Sequence, residues 1–163
     1  MSDLTIRDER EGDRDSVKSV IEAAFGSSAE AELVERLRDD GDSEIALVAK
    51  EEGRIVGHIL FSRMAAPFRA LGLAPVAVAP ERQRRGIGGA LVRAGLARAR
   101  AQGWDAVFVL GDPEYYGRFG FTVTAATPFR CVYSGPHFMA LRLGEALPAA
   151  GEVAYAPAFA ALG

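Results

Sequence analysis

The sequence predicts an α/β protein of the α+β kind: one mixed sheet, mostly antiparallel, with a central parallel strand pair and helices flanking it. Three observations predict this. Apolar, β-branched runs at Ile45–Ala49 and Ile55–Phe61 are joined by Glu51-Glu52-Gly53-Arg54, which reads as an antiparallel hairpin. A strand at Ala70–Val78, a helical run over Gly86–Gln102 and a second strand at Asp105–Leu110 form a crossover, which sets those two strands parallel. Ahead of the hairpin, apolar residues recur at helical spacing in two stripes, so two helices should pack on a common sheet.

Taken in order, Leu4–Arg7 reads as a first strand. Asp13 offers an N-cap to a helix carrying Val17, Val20, Ile21, Ala24 and Phe25 on one side. Ser27 and Glu30 have capping-box spacing and open a second helix with Leu33, Val34 and Leu37, which Asp39-Asp40-Gly41 ends. In the third helix Ile87, Ala90, Leu91, Ala94, Ala97 and Ala101 share a side, Arg93 and Arg100 point away, and Gly103 stops it. Asp105–Leu110 is a continuous apolar run of the kind buried on both faces of a sheet. Pro113–Phe119 reads as a short helix, Phe121–Thr124 and Phe138–Leu143 as strands. Thr124–Gly135 is rich in turn formers and reads as a surface loop, a flap over the site being the other reading.

A chain of 163 residues fits one domain, expected over residues 1–145, with a tail at 146–163 that packs on the same domain or on a dimer partner. With 49% apolar and 25% charged residues, the composition is globular rather than disordered. The net charge of −3 and the lack of interleaved aromatics argue against nucleic acid. Cys131 stands alone, which excludes an intrachain disulfide and a cysteine metal cluster and fits a reducing compartment. Met1–Arg10 holds no apolar signal core, and Ala146–Gly163 is interrupted by Pro148, Glu152 and Pro157. The expectation is a soluble cytoplasmic protein with no membrane partner.

Chemistry concentrates where the strand ending at Val78 meets the third helix. Residues 81–102 carry six arginines and one glutamate inside an otherwise acidic chain. The first amides of a helix have no intrahelical acceptor and lie at the positive end of its dipole, so this junction suits an anion. Gly86, Gly88 and Gly89 let a bulky phosphate reach the main chain. A Walker-type loop needs Lys and then Ser or Thr after its last glycine, whereas Ala90 and Leu91 follow Gly89. A dinucleotide fingerprint needs a glycine at 91.

Gln83-Arg84-Arg85-Gly86-Ile87-Gly88 resembles the Gln/Arg-x-x-Gly-x-Gly/Ala signature of the GCN5-related N-acetyltransferases, the GNAT superfamily. Two further segments are similar to that family: Gly53-Arg54-Ile55-Val56-Gly57-His58 at a strand start, and Tyr116-Gly117-Arg118-Phe119-Gly120-Phe121 as its Tyr-x-x-x-Gly-Phe signature. The resemblance runs from about Leu4 to Leu143. Gly111–Tyr116 with Arg118–Phe121, and Ala156–Phe159 near the end, resemble a bacterial subgroup of predicted acetyltransferases of unassigned substrate.

The resemblance implies the GNAT fold, in which the central parallel strands splay. It implies acetyl-CoA as cosubstrate, with its pyrophosphate in the turn formed by Gln83, Arg84, Arg85, Gly86, Ile87, Gly88, Gly89 and Ala90. Its pantetheine arm would bond the main chain of Val76, Ala77 and Val78, and Tyr116 would protonate the departing thiolate. It further implies direct transfer to a primary amine, on a small molecule or a peptide, in a ternary complex without metal.

The base is the open position, because Leu71–Val78 holds no carboxylate where many members have a glutamate. Asp112 and Glu114 are candidates, although Asp112-Pro113 is also an ordinary helix start. His58 and His137 read as core or surface histidines. Tyr115 is the alternative to Tyr116, and Cys131 lies outside every motif. The competing function is a CoA-binding sensor or interaction module without catalysis, and a homodimer fits either reading.

Overall fold

The computed structural model describes residues 3–145 and 147–162; Ala146 and Gly163, the two ends of the expected tail, lie outside them. Its main sheet has six strands: β1 (Leu4–Asp8), β2 (Ser43–Glu51), β3 (Arg54–Arg63), β4 (Ala70–Val78), β5 (Ala106–Leu110) and, after the two-residue β6 (Phe129–Arg130), β7 (Phe138–Arg142), ordered β1-β2-β3-β4-β5-β7. Within this sheet every pairing is antiparallel except β4 with β5. The hairpin between β2 and β3 turns on Glu52 and Gly53, with φ of 53° and 76°. Both central residues of a two-residue turn then lie in the left-handed region that matches strand twist, and glycine takes one of them.

Helix α3 (Ile87–Ala101) covers one face of the sheet, packing Leu91, Val92 and Leu96 on Leu47, Ile59, Phe61, Leu71 and Val107. Helices α1 (Arg14–Phe25) and α2 (Ala29–Asp39) cover the other, with Val17, Ile21, Val34 and Leu37 against Val48, Leu60 and Ala77. The two faces of β3 and β4 therefore alternate between two separate cores, as strand pleating requires. A third cluster of Phe108, Phe129 and Phe138 fills the β5–β7 end. The later chain joins the same body: β8 (Gly151–Glu152) pairs with β6, and Ala156, Ala158 and Phe159 pack in the cluster that holds α2.

Several local expectations are corrected. Phe121–Thr124 is no strand beyond an isolated bridge from Thr122 to Ala140. The Thr122 hydroxyl accepts from the Ala125 amide at 3.0 Å and so caps the short α5 (Val123–Ala126). Asp13 stands at the start of α1 without capping it, because Arg7 and the Arg10 amide take its carboxylate at 2.7–3.0 Å. Ser27 donates to the Glu30 side chain at 3.1 Å, and Ser28 occupies the N-cap position of α2. In α3, Ala97 and Ala101 are exposed while Gly95 and Ala99 are buried, a face rotated from the expected stripe.

The two central strands part early. β4 and β5 pair only at Ala70–Ala106, Leu71–Val107 and Gly72–Phe108. Between Ile59 and Phe61 of β3 stands one residue, Leu60, whereas the facing stretch of β4 holds two, Ala74 and Pro75. This is a bulge, and it bends β4 away just past the last parallel pair.

Candidate functional site

Beside the carboxyl end of β4 lies a cleft of about 360 Å³ lined by Val78, Gln83, Arg84, Gly86, Ile87, Gly88 and Gly89, and also by Arg82, Arg93, Tyr115 and Arg118. Gly86 is the N-cap of α3 at φ 83°, with no side chain capping the helix and no acid in its first turn. The first intrahelical bond runs from the Ala90 amide to Gly86 O at 3.0 Å, so the amides of Ile87, Gly88 and Gly89 are left for a ligand. Arg84 also adopts a left-handed φ of 66°, and the Gln83 side chain donates from Nε2 to Val78 O at 3.0 Å, tying the turn to the strand end. Left-handed residues near free amides form an anion-binding concavity.

The cleft wall facing α3 comes from α4 (Pro113–Gly117) and the residues after it. The Tyr115 hydroxyl stands 3.2 Å from where a Gly88 β-carbon would be. The Arg118 guanidinium covers the Tyr115 ring at 4.5 Å, and that of Arg93 covers Phe119 at 5.0 Å. No carboxylate lines the cleft, although Arg82 also pairs with Glu51. The arrangement suits a polyanion.

Not all the expected residues share one role. Arg85 is exposed and outside the lining, the Ala90 amide is used within the helix, and the Ala77 side chain is buried under α1 and α2. Arg93, expected to point away, lines the cleft. It follows Gly86 by two helical turns and Gly89 by one, a spacing that could have flagged it.

Tyr116 packs deeper, its ring edge-on to Tyr115 at 4.9 Å and to Phe121 at 5.9 Å, on the α3 side of the sheet. Burial, with the neighbouring Tyr115 phenol adding to it, pushes its pKa up to about 12. Asp112 accepts from the Glu114 amide at 3.0 Å and caps α4, the ordinary helix-start role. The exposed His137 has Nδ1 3.3 Å from Gly111 O. His58 is fully buried in β3, with Nε2 2.7 Å from Glu9. Among the described residues no three His, Cys, Asp or Glu side chains gather to hold a metal ion, and no helix is long and apolar enough to cross a membrane.

A family profile described as an acetyltransferase (GNAT) domain matches residues 5–124. The chain belongs to the GNAT family. Over 117 residues it is 44% identical to the uncharacterized N-acetyltransferase YjhQ of Escherichia coli K12, a match spanning 67% of the chain and 64% of that relative. Over 136 residues it is 36% identical to the uncharacterized N-acetyltransferase YhbS of the same organism, covering 81% of each. Crystalline E. coli YhbS in complex with CoA superposes with a TM-score of 0.91 at 32% identity, over all of this chain and 95% of that one. A GNAT acetyltransferase of Brucella melitensis in complex with acetyl-CoA gives 0.83 at 38% identity, over 96% and 98%. The splayed GNAT fold is therefore that of this chain.

Proposed function

We propose that this GNAT protein transfers the acetyl group of acetyl-CoA directly to a primary amine of a small molecule or peptide, in a ternary complex. The observation that carries the reading is the junction itself. An acid-free, arginine-lined helix start opens beside the point where β4 bulges away from β5. Complexes of the Brucella relative with acetyl-CoA and of YhbS with CoA support the choice of donor.

In this reading the pyrophosphate takes the free amides of Ile87–Gly89 with Arg84, and Arg93 and Arg118 add charge. The pantetheine arm bonds the main chain of Val76–Val78, where amides freed by the parting of the strands point the thioester carbonyl. An amide there also stabilises the oxyanion when the amine attacks, a contribution worth roughly a hundredfold or more in other enzymes. The carbon–nitrogen bond forms, the carbon–sulfur bond breaks, and the amine gives up a proton to solvent. Tyr116 donates a hydrogen bond to the sulfur. With its pKa near 12 against an ordinary thiol near 8.5, the phenol is protonated throughout neutral pH and eases departure chiefly by sharing its proton.

The test is thiol release from acetyl-CoA across a library of amines and peptides, alongside calorimetric binding of acetyl-CoA to the wild type and to Gly86→Glu. Amine-dependent release, with binding abolished in the variant, is the expected result. Retained binding in Gly86→Glu sinks the cleft assignment, and binding without release for any amine identifies a sensor instead.

A further inference from the structure

Resting on that donor reading, we propose that Tyr155 sets the size of the acyl group this chain accepts, its ring closing the inner end of the gap between β4 and β5. The gap has its apex at Gly72, the last residue of β4 paired with β5, and opens toward Val78. Leu71 and Leu73 point into the core under α3, so the open side of Gly72 faces the opposite surface of the sheet. There the Tyr155 ring lies directly on it. A β-carbon at Gly72 would be 2.6 Å from Cδ1 of that ring and nearer still to Cε1.

The ring is a fixed wall. Tyr133, Phe138 and Phe159 surround it with centroids 5.5, 6.4 and 5.0 Å away. The preceding residue, Ala154, exchanges two main-chain hydrogen bonds with Ala65, at 2.8 and 2.9 Å. Tyr116 approaches from the α3 side and Tyr155 from the other, and burial followed by Cys131, Tyr133 and Tyr116 holds the Tyr155 phenol far above its usual range. A thioester whose carbonyl bonds Val76–Val78 directs its sulfur to the arginine cleft and its acyl chain toward the apex, where Tyr155 ends the available space. One methylene in a filled apolar pocket discriminates by about 10- to 200-fold.

Calorimetric binding of CoA, acetyl-CoA and butyryl-CoA to the full chain tests this. The wild type should bind CoA and acetyl-CoA comparably and butyryl-CoA more weakly by about tenfold or more. Tyr155→Ala should bring butyryl-CoA to within about threefold of acetyl-CoA, with CoA affinity unchanged as the report of an intact cleft. Tyr155→Leu, which keeps an apolar anchor in the cluster, should shift selectivity the same way if the alanine variant fails to fold. Tyr155→Phe should behave as wild type, because the ring and not the hydroxyl forms the wall. Wild-type indifference to chain length, or unchanged selectivity in a leucine variant that binds CoA normally, overturns the inference while leaving the donor reading intact. A wild type that binds no CoA overturns both.

Discussion

The ring of Tyr116 lies against the backbone of Gly111, so closely that a β-carbon there would stand 2.6 Å from Cε2. Gly111 is the first residue past β5 and continues its pairing, its main-chain N–H donating a hydrogen bond to His137 O at 3.0 Å. The glycine thus seats the proposed proton donor on the strand that parts from β4. Gly111→Ala forces the half-buried ring aside, a small-to-large change that should cost about 1–3 kcal/mol by urea unfolding. In transfer assays kcat should fall while acetyl-CoA affinity holds; an unaltered kcat would detach Tyr116 from the chemistry.

Removing only the Tyr116 hydroxyl separates packing from proton sharing. Tyr116→Phe keeps the edge-on contacts with Tyr115 and Phe121, so stability and acetyl-CoA binding should change little. Turnover, followed as thiol release, should drop by about a hundredfold if the phenol serves as a positioned acid. Because burial and Tyr115 hold its pKa near 12, the wild-type rate should show no Tyr116 titration between pH 6 and pH 9, a window well below that value. Residual activity in Tyr116→Phe that vanished in Tyr115→Phe would transfer the role to Tyr115.

The turn separates conformation from charge in the same way. Apart from the adjoining chain, nothing lies within 4 Å of where a Gly86 β-carbon would stand, yet its φ is 83°. Gly86→Ala therefore meets no neighbouring side chain and costs only the strain of a β-carbon against its own carbonyl in the left-handed region, about 1–2 kcal/mol. Acetyl-CoA should bind this variant more weakly but measurably, whereas Gly86→Glu should abolish binding through bulk and like charge. Affinity for the wild type should also decline as salt rises toward 1 M, since the cleft arginines are partly exposed and screened there.

Much of this was legible in the residues because local chemistry and global fold agree. The Glu52-Gly53 turn, the Ala70–Val78 strand and the Gly86 helix start each carry their own signal: a left-handed turn pair, a long apolar run, a glycine cap. Phe121–Thr124 misled because an apolar–polar alternation of four residues suits either a strand or a helix cap, and tertiary packing of Phe121 left Thr122 free to cap. The cleft wall was only half legible. Arg93 shares a helix face with the glycines, but Arg118 and Tyr115 reach the cleft only through the placing of α4 after β5, a contact between distant segments. Tyr155 lies 83 residues from Gly72 in sequence, and no periodicity links the two.

Two ion-paired carboxylates away from the proposed chemistry, Glu9 and Asp13, should govern acid stability. Glu9 is touched by His58 Nε2 at 2.7 Å and by Arg38 Nη2 at 2.8 Å, with the Glu9 side chain only 8% exposed. Burial opposes ionisation of Glu9, but the contacts with His58 and Arg38 outweigh it and hold its carboxyl below the ordinary 4.5. Asp13, hydrogen-bonded by Arg7 against the cost of its burial and also by the Arg10 amide, is held down to about 2 from an ordinary 3.8. Both folded pKa values lie below the unfolded ones, so their stabilisation is complete above about pH 5 and is lost as pH falls through the folded values. The urea midpoint should be flat from neutral pH to about 5 and drop steadily toward pH 2. Glu9→Ala leaves Arg38 without its counter-charge and His58 without its partner, and should cost about 3–5 kcal/mol at pH 7. In a Glu9→Gln, Asp13→Asn double variant the acid slope should flatten, and a slope as steep as that of the wild type would show that other carboxylates control it.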